Sequence, residues 1–218
     1  GGLRLLDGAP GTAQTVTFTG NVVVGGAAAA GVDAGDADGD TLVLGGAGVL
    51  SGVNSLSKAG AGTLELGGTA ANTNGLAVAP GLIVAQGTVR LNKNPGVNAV
   101  GSGWIQIGDH GGGNGADRLV WAANNQLPDA ALITVGASGR LDLGAASDAV
   151  GSLILSRHGS QSGDVAIGSG GVLTLAGNTS LPATVQVANY GLTDGATPAA
   201  TLNGPGTILL TEAAPTLV

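Results

Sequence analysis

Along the chain, apolar residues come in short alternating runs. The series includes Thr15-Val16-Thr17-Phe18, Thr41-Leu42-Val43-Leu44, Thr63-Leu64-Glu65-Leu66, Thr88-Val89-Arg90-Leu91 and Trp104-Ile105-Gln106-Ile107. It continues through Arg140-Leu141-Asp142-Leu143, Ser152-Leu153-Ile154-Leu155, Asp164-Val165-Ala166-Ile167, Val172-Leu173-Thr174-Leu175, Thr184-Val185-Gln186-Val187 and Thr207-Ile208-Leu209-Leu210. A period of two is the strand period, because successive side chains point to opposite faces of a pleated sheet. Leu64 and Leu66 are therefore predicted to be buried, with Thr63 and Glu65 facing solvent. The residues between the runs exclude helix. Only three stretches longer than ten residues lack Gly, and Pro128, Pro182 and Pro215 interrupt them. In a helix interior Gly costs about 1 kcal/mol and Pro about 3 kcal/mol relative to Ala.

The runs recur at roughly 8 to 14 residues, a spacing that suits either an antiparallel sandwich or a solenoid. Sandwich strands average about five to six residues and are commonly joined by tight hairpin turns. These runs are shorter, and Gly-rich bends of variable length join them. The pattern predicts an all-β fold, a single-stranded right-handed parallel β-helix (β-solenoid). About three strands per coil give about six to seven coils, and the ~4.8 Å strand spacing makes a rod about 30 Å long. Residues 1–218 are expected to form one continuous solenoid: 41–187 hold the repeat-like coils, 188–218 the terminal coils, and 1–40 follow the pattern more loosely.

Composition narrows the picture. The chain has 43 Gly but one Phe, one Tyr and two Trp among 218 residues, so its core must be slim and aliphatic. Seven basic residues against fourteen acidic ones give a formal charge of -7. Phosphate binding needs clustered Lys and Arg, so nucleic acid is not an expected partner. There is no Cys, hence no disulfide or thiolate–metal signal. No apolar run approaches the ~18 residues of a membrane helix, so no helical membrane span is expected. Without an initiator Met or a hydrophobic leader, the sequence reads as a processed product or an excised portion of a longer protein.

One stretch resembles a known family. Lys58-Ala59-Gly60-Ala61-Gly62-Thr63-Leu64-Glu65-Leu66 is followed by Asn72-Thr73-Asn74-Gly75, Leu76-Ala77-Val78 and Gly87-Thr88-Val89-Arg90-Leu91. This order is similar to the autotransporter-associated β-strand repeat: a K-x-G-x-G-T-L-x-L strand, an Asn-Thr turn, a second strand and a G-T-L-x-V/L third strand. The segment from Trp104-Ile105-Gln106-Ile107-Gly108-Asp109 through Asp117-Arg118-Leu119-Val120 to Gly139-Arg140-Leu141-Asp142-Leu143 looks like a longer module found beside such repeats. The resemblance covers about residues 41–187 and is most specific over 58–91. It implies secretion from a diderm bacterium and display at its surface as a β-helical stalk or passenger. It implies no chemistry, and the chain lacks the ten-residue alternating strands and aromatic girdles of an outer-membrane barrel.

Several residue groups invite a chemical reading. Asp33, Asp36, Asp38 and Asp40 fall in Asp33-Ala34-Gly35-Asp36-Ala37-Asp38-Gly39-Asp40, a spacing that can turn several carboxylates toward one calcium ion. An EF-hand would also need Gly where Thr41 stands and Glu where Ala47 stands, so a solvated acidic turn is the plainer alternative. Asp109, His110, Asp117 and Arg118 flank Gly111-Gly112-Gly113-Asn114-Gly115, where a His between carboxylates can act as base or ligand. These residues equally fit a protruding loop that caps strand ends. His158 reads as a lone exposed residue. The Gly-rich loops at 101–103 and 111–115 lack the following helix and Lys of a phosphate loop. Outward carboxylates such as Glu65 and Asp142 would need to lie about 5 to 9.5 Å apart for glycoside hydrolysis. Trp104, Trp121 and Tyr190 offer either a sugar-stacking platform or packing at coil ends.

The sequence as a whole predicts a structural, non-enzymatic role: an extracellular stalk, adhesin passenger or fibre subunit. A carbohydrate-binding or carbohydrate-cleaving β-helix is the alternative. It would require Asp with Arg or Lys projecting from neighbouring coils, whereas the basic residues are scattered singly along the sequence. An open solenoid leaves unpaired strand edges at its ends, and no polar cap is evident near Gly1 or Val218. Expected partners are therefore a further copy stacked end to end or the continuation of a longer rod, with a glycan or host-surface ligand on the flank.

Overall fold

The computed structural model describes residues 2–4, 12–25, 30–35, 39–75, 80–101, 104–176, 184–189, 201–210 and 216–217. Among them there are 23 strands and no helix, hence no helix able to cross a membrane. The strands stack as a parallel β-solenoid, nine deep on one long face and eight deep on the other among the described residues. The first face stacks in parallel from Gly2–Arg4 through Ala30–Asp33, Leu56–Ala59, Pro80–Val84, Trp104–Ile107, Leu132–Val135, Ser152–His158 and Thr184–Asn189 to Thr216–Leu217, with one register shift between Pro80–Val84 and Trp104–Ile107. The second runs from Thr15–Phe18 through Thr41–Leu44, Thr63–Gly68, Gly87–Lys93, Asp117–Trp121, Gly139–Gly144 and Asp164–Ile167 to Thr201–Asn203. A third face is shorter, pairing Val22–Val23 with Leu50–Ser51 at one end and stacking Ser147–Val150, Val172–Leu175 and Thr207–Leu210 at the other. One antiparallel excursion breaks the pattern: Arg157 and His158 fold back on Ser162 and Gln161.

Alternation places the aliphatic residues in stacked interior rows. On the second face Leu42, Leu64, Val89, Leu119, Leu141 and Val165 lie over one another, all buried. On the first, Leu56, Leu82, Ile105, Ile133 and Leu153 do the same. Each such side chain contributes roughly 1.5–3 kcal/mol on burial, so rows of slim residues hold the rod without a thick core. Close corners explain part of the Gly content. A Cβ on Gly62 would collide with the Ala34 carbonyl of the coil below, and one on Gly68, at φ 97°, with that of Gly46.

Between the two strand-bearing ends of the third face, coils keep their register through polar side chains. Asn72 accepts from the Leu50 amide (2.9 Å) and donates to the Ala99 carbonyl (2.7 Å). Asn74 donates to Gly81 O (2.8 Å). Buried backbone groups must find partners, and here the amide side chains supply what strand pairing does not.

Candidate functional site

The bend from the first face to the second gathers most of the buried charge. Lys58 occupies an interior row, between Val32 below and Val84 above, and is completely buried. Its ammonium donates to the carbonyls of Ala59 (2.9 Å), Gly60 (2.6 Å) and Gln86 (2.9 Å), tying one coil to the next. Desolvation lowers its pKa to about 8, against the opposing fields of Asp33 and Asp117.

Two coils further on, the same bend carries the excursion of residues 108–116. Asp117 is buried and accepts from the Ser138 hydroxyl (2.6 Å). Ser138 Oγ in turn accepts from the amides of Asp109 (3.2 Å) and His110 (3.0 Å), fastening the excursion to the rod. Burial pushes the Asp117 carboxyl above the ordinary carboxylate range, the Ser138 bond opposes this, and the neighbouring Asp109 charge adds to it. Asp109 is exposed, its Oδ1 accepting from Gly111 N (2.8 Å). His110 has a left-handed backbone (φ 72°), and its Nδ1 accepts from Ala137 N (3.3 Å). Its ring centre lies 5.2 Å from that of His158, so the only two histidines of the chain meet. Asp109 and Asp117 line an open cavity of about 460 Å³ with Gln86 and small residues including Ala61, Gly87 and Ala116. A buried acid thus stands beside an exposed carboxylate, over walls without bulk.

The outward side of the second face carries a charge array. Arg118 and Arg140 are register neighbours. Asp142 accepts from Arg118 (2.9 Å) and lies 3.6 Å from Arg140, which also pairs with Asp164 at 3.1 Å. Arg90 pairs with Glu65 (2.5 Å), whose other oxygen accepts from Asn92 (2.8 Å). The basic residues, scattered in sequence, are thus partly assembled in space.

The other sequence candidates fall as follows. Asp33 pairs with Arg4 (3.0 Å) and accepts from Gly35 N (3.1 Å). Asp40 is fully buried, contrary to a solvated turn, and its Oδ1 accepts from Gln14 N (2.9 Å). Asp36 and Asp38 lie outside the described residues, as does Tyr190. Glu65 and Asp142 are three strand steps apart, about 14 Å at the ~4.8 Å spacing, too far for a glycosidase pair. Trp121 is no stacking platform: it is buried and donates to Asp148 (2.7 Å), while Trp104 is half-buried at the start of its strand. Asp148 also accepts from the amides of Gln126 (2.9 Å), Leu127 (3.1 Å) and Ala149 (2.8 Å).

Sequence reasoning missed Lys58 as an interior group, together with Ser138 and Asp148. Parity was the available signal for Lys58, which stands two residues after inward-facing Leu56. No family model, curated protein or solved structure matches the chain.

Proposed function

We propose that the chain is a structural β-solenoid segment of an extracellular protein, a stalk, adhesin passenger or fibre subunit, with no catalytic role. The observation that carries this reading is the continuous parallel stacking of both long faces, in which each coil bonds to its neighbours and repeats add length without adding a new core. The resemblance of residues 58–91 to the autotransporter-associated repeat supports display at the surface of a diderm bacterium. The first strand of the second face, on which Val16 and Phe18 are 44% and 43% exposed while Leu42 and Leu44, stacked on them, are buried, would accept a further coil, whether of a second copy or of a longer rod. Electron microscopy and sedimentation over a concentration series test this. Rods that lengthen with concentration are expected. A monomer of fixed length at all concentrations removes the end-to-end part, and a compact particle removes the rod.

A second reading, glycan binding, is favoured by the Arg118–Asp142–Arg140–Asp164 array and the carboxylate-lined cavity at the adjoining bend. Hydroxyl-rich polymers are bound by such planar donors and acceptors. A glycan-array signal lost in an Arg118→Ala/Arg140→Ala variant is the expected result, and no signal from the wild-type chain ends this reading.

A further inference from the structure

The dipeptide Asn-Gly occurs three times, at 74–75, 114–115 and 203–204. It is the least hindered setting for one intrinsic reaction, closure of an asparagine side chain onto the next backbone nitrogen, because Gly has no Cβ in the way and turns freely. The reaction needs a mobile side-chain amide and an uncommitted glycine nitrogen, and the fold supplies these unequally.

At 74–75 both are withheld. Asn74 is 1% exposed, its Nδ2 donates to Gly81 O (2.8 Å) and its Oδ1 accepts from Gly101 N (3.3 Å). The Gly75 nitrogen donates to Gly52 O (3.0 Å) of the coil below. At 203–204, Asn203 has its backbone in a strand, paired with Ala166. At 114–115 nothing is withheld. Asn114 is exposed at the tip of the 108–116 excursion, and neither its side chain nor the Gly115 nitrogen has a hydrogen-bond partner among the described residues. The two residues form the middle of a turn closed by a single bond, from Ala116 N to Gly113 O (3.3 Å), with Gly115 at φ 66°.

We propose that Asn114 is a site of spontaneous deamidation. The Gly115 nitrogen attacks Asn114 Cγ, the Cγ–Nδ2 bond breaks, and the amide leaves as ammonia with the proton that Gly115 gives up. Water then opens the cyclic imide at either carbonyl, leaving an aspartyl or an isoaspartyl residue. Both products add one negative charge to a chain of formal charge -7. The isoaspartyl form also lengthens the backbone by a methylene inside the turn. The new carboxylate stands on the excursion that carries Asp109 and lines the cavity through Gly111, Gly112 and Ala116, so the surroundings of that cavity become more acidic. The inference does not depend on the structural or glycan readings above.

The test holds the folded whole chain in mildly alkaline buffer and follows charge by isoelectric focusing and position by peptide mass spectrometry, with isoaspartyl groups labelled by an isoaspartate-specific methyltransferase. Conversion at position 114 is expected to run about tenfold or more ahead of position 74, whose side chain must first be released by local opening. In urea, where both sites are released, the two rates should converge. Asn114→Gln keeps an amide at the exposed tip but must close a larger ring, so the early acidic species should disappear. Position 114 converting no faster than position 74 in the folded chain overturns the proposal, as does an early acidic species that persists in Asn114→Gln. A gap between the two positions that stays undiminished in urea overturns it as well, since the fold would then not be its cause.

Discussion

Arg118 and Lys58 lie on adjoining parts of one rod and carry the same charge, yet the structure treats them oppositely. Arg118 stands on the outer side of the second face with its side chain 42% exposed, sharing Asp142 with Arg140. Exposed pairs of this kind contribute about 0.2–1 kcal/mol, because water screens them and two long side chains must be ordered. Lys58 sits inside an aliphatic row with all three protons given to carbonyl oxygens. Asp148 is its counterpart at the far bend, an inward carboxylate receiving one indole and three amide hydrogens. The outer array faces solvent and adds little to the fold. The inner posts are hidden from any ligand and hold the corners where strand pairing stops.

Substitutions sharpen the contrast. Asp148→Ala should have the largest effect, about 4 kcal/mol lost in urea unfolding, since it strands Trp121 Nε1 and three amides in the interior. Lys58→Met should cost about 2 kcal/mol. It leaves three carbonyls without the ammonium, but relieves the burial of a charge and keeps a slim apolar stem in the row.

Next in size is a response to pH. The folded pKa of Lys58, about 8, lies below its ordinary 10.5, so between these values the unfolded chain binds more protons and stability rises with pH. Unfolding followed at pH 7 and pH 9 should show a gain of about 1 kcal/mol, flattened in Lys58→Met. Burial lowers the pKa of Lys93 as well, which acts in the same direction. Arg118→Ala should cost least, about 0.5 kcal/mol or less by the same unfolding assay. A loss above about 2 kcal/mol there would collapse the distinction between face and corner.

Much of this was legible in the sequence. Runs such as Thr63-Leu64-Glu65-Leu66 announce both the strand and its inward residues, and the alternation holds in the structure. Strands escaped where local chemistry contradicts the pattern: Ala30–Asp33 contains Gly31, Leu56–Ala59 carries Lys58 inward, and Pro80–Val84 begins Pro-Gly. Between the strand-bearing ends of the third face, Asn72 and Asn74 read as turn residues because side-chain bonding replaces the ladder there. The arginine array was hidden for a different reason. The 108–116 excursion lengthens one coil, so Thr88, Arg118 and Arg140 align in space at unequal sequence intervals, and no fixed period reveals the column. The cavity lined by Asp109 and Asp117 arises from the same insertion.

The inner posts also bear on how the rod responds to force. In a parallel solenoid the ladder bonds point along the long axis, so tension at the two ends loads them in opening and not in shear. Coils should then come away one at a time, each at modest force. The bond from Lys58 to Gln86 and the bonds from Asp148 to Trp121 and Gln126 cross between coils inside the rod. They act as rivets, and extension should pause at those two levels before the next coil gives way.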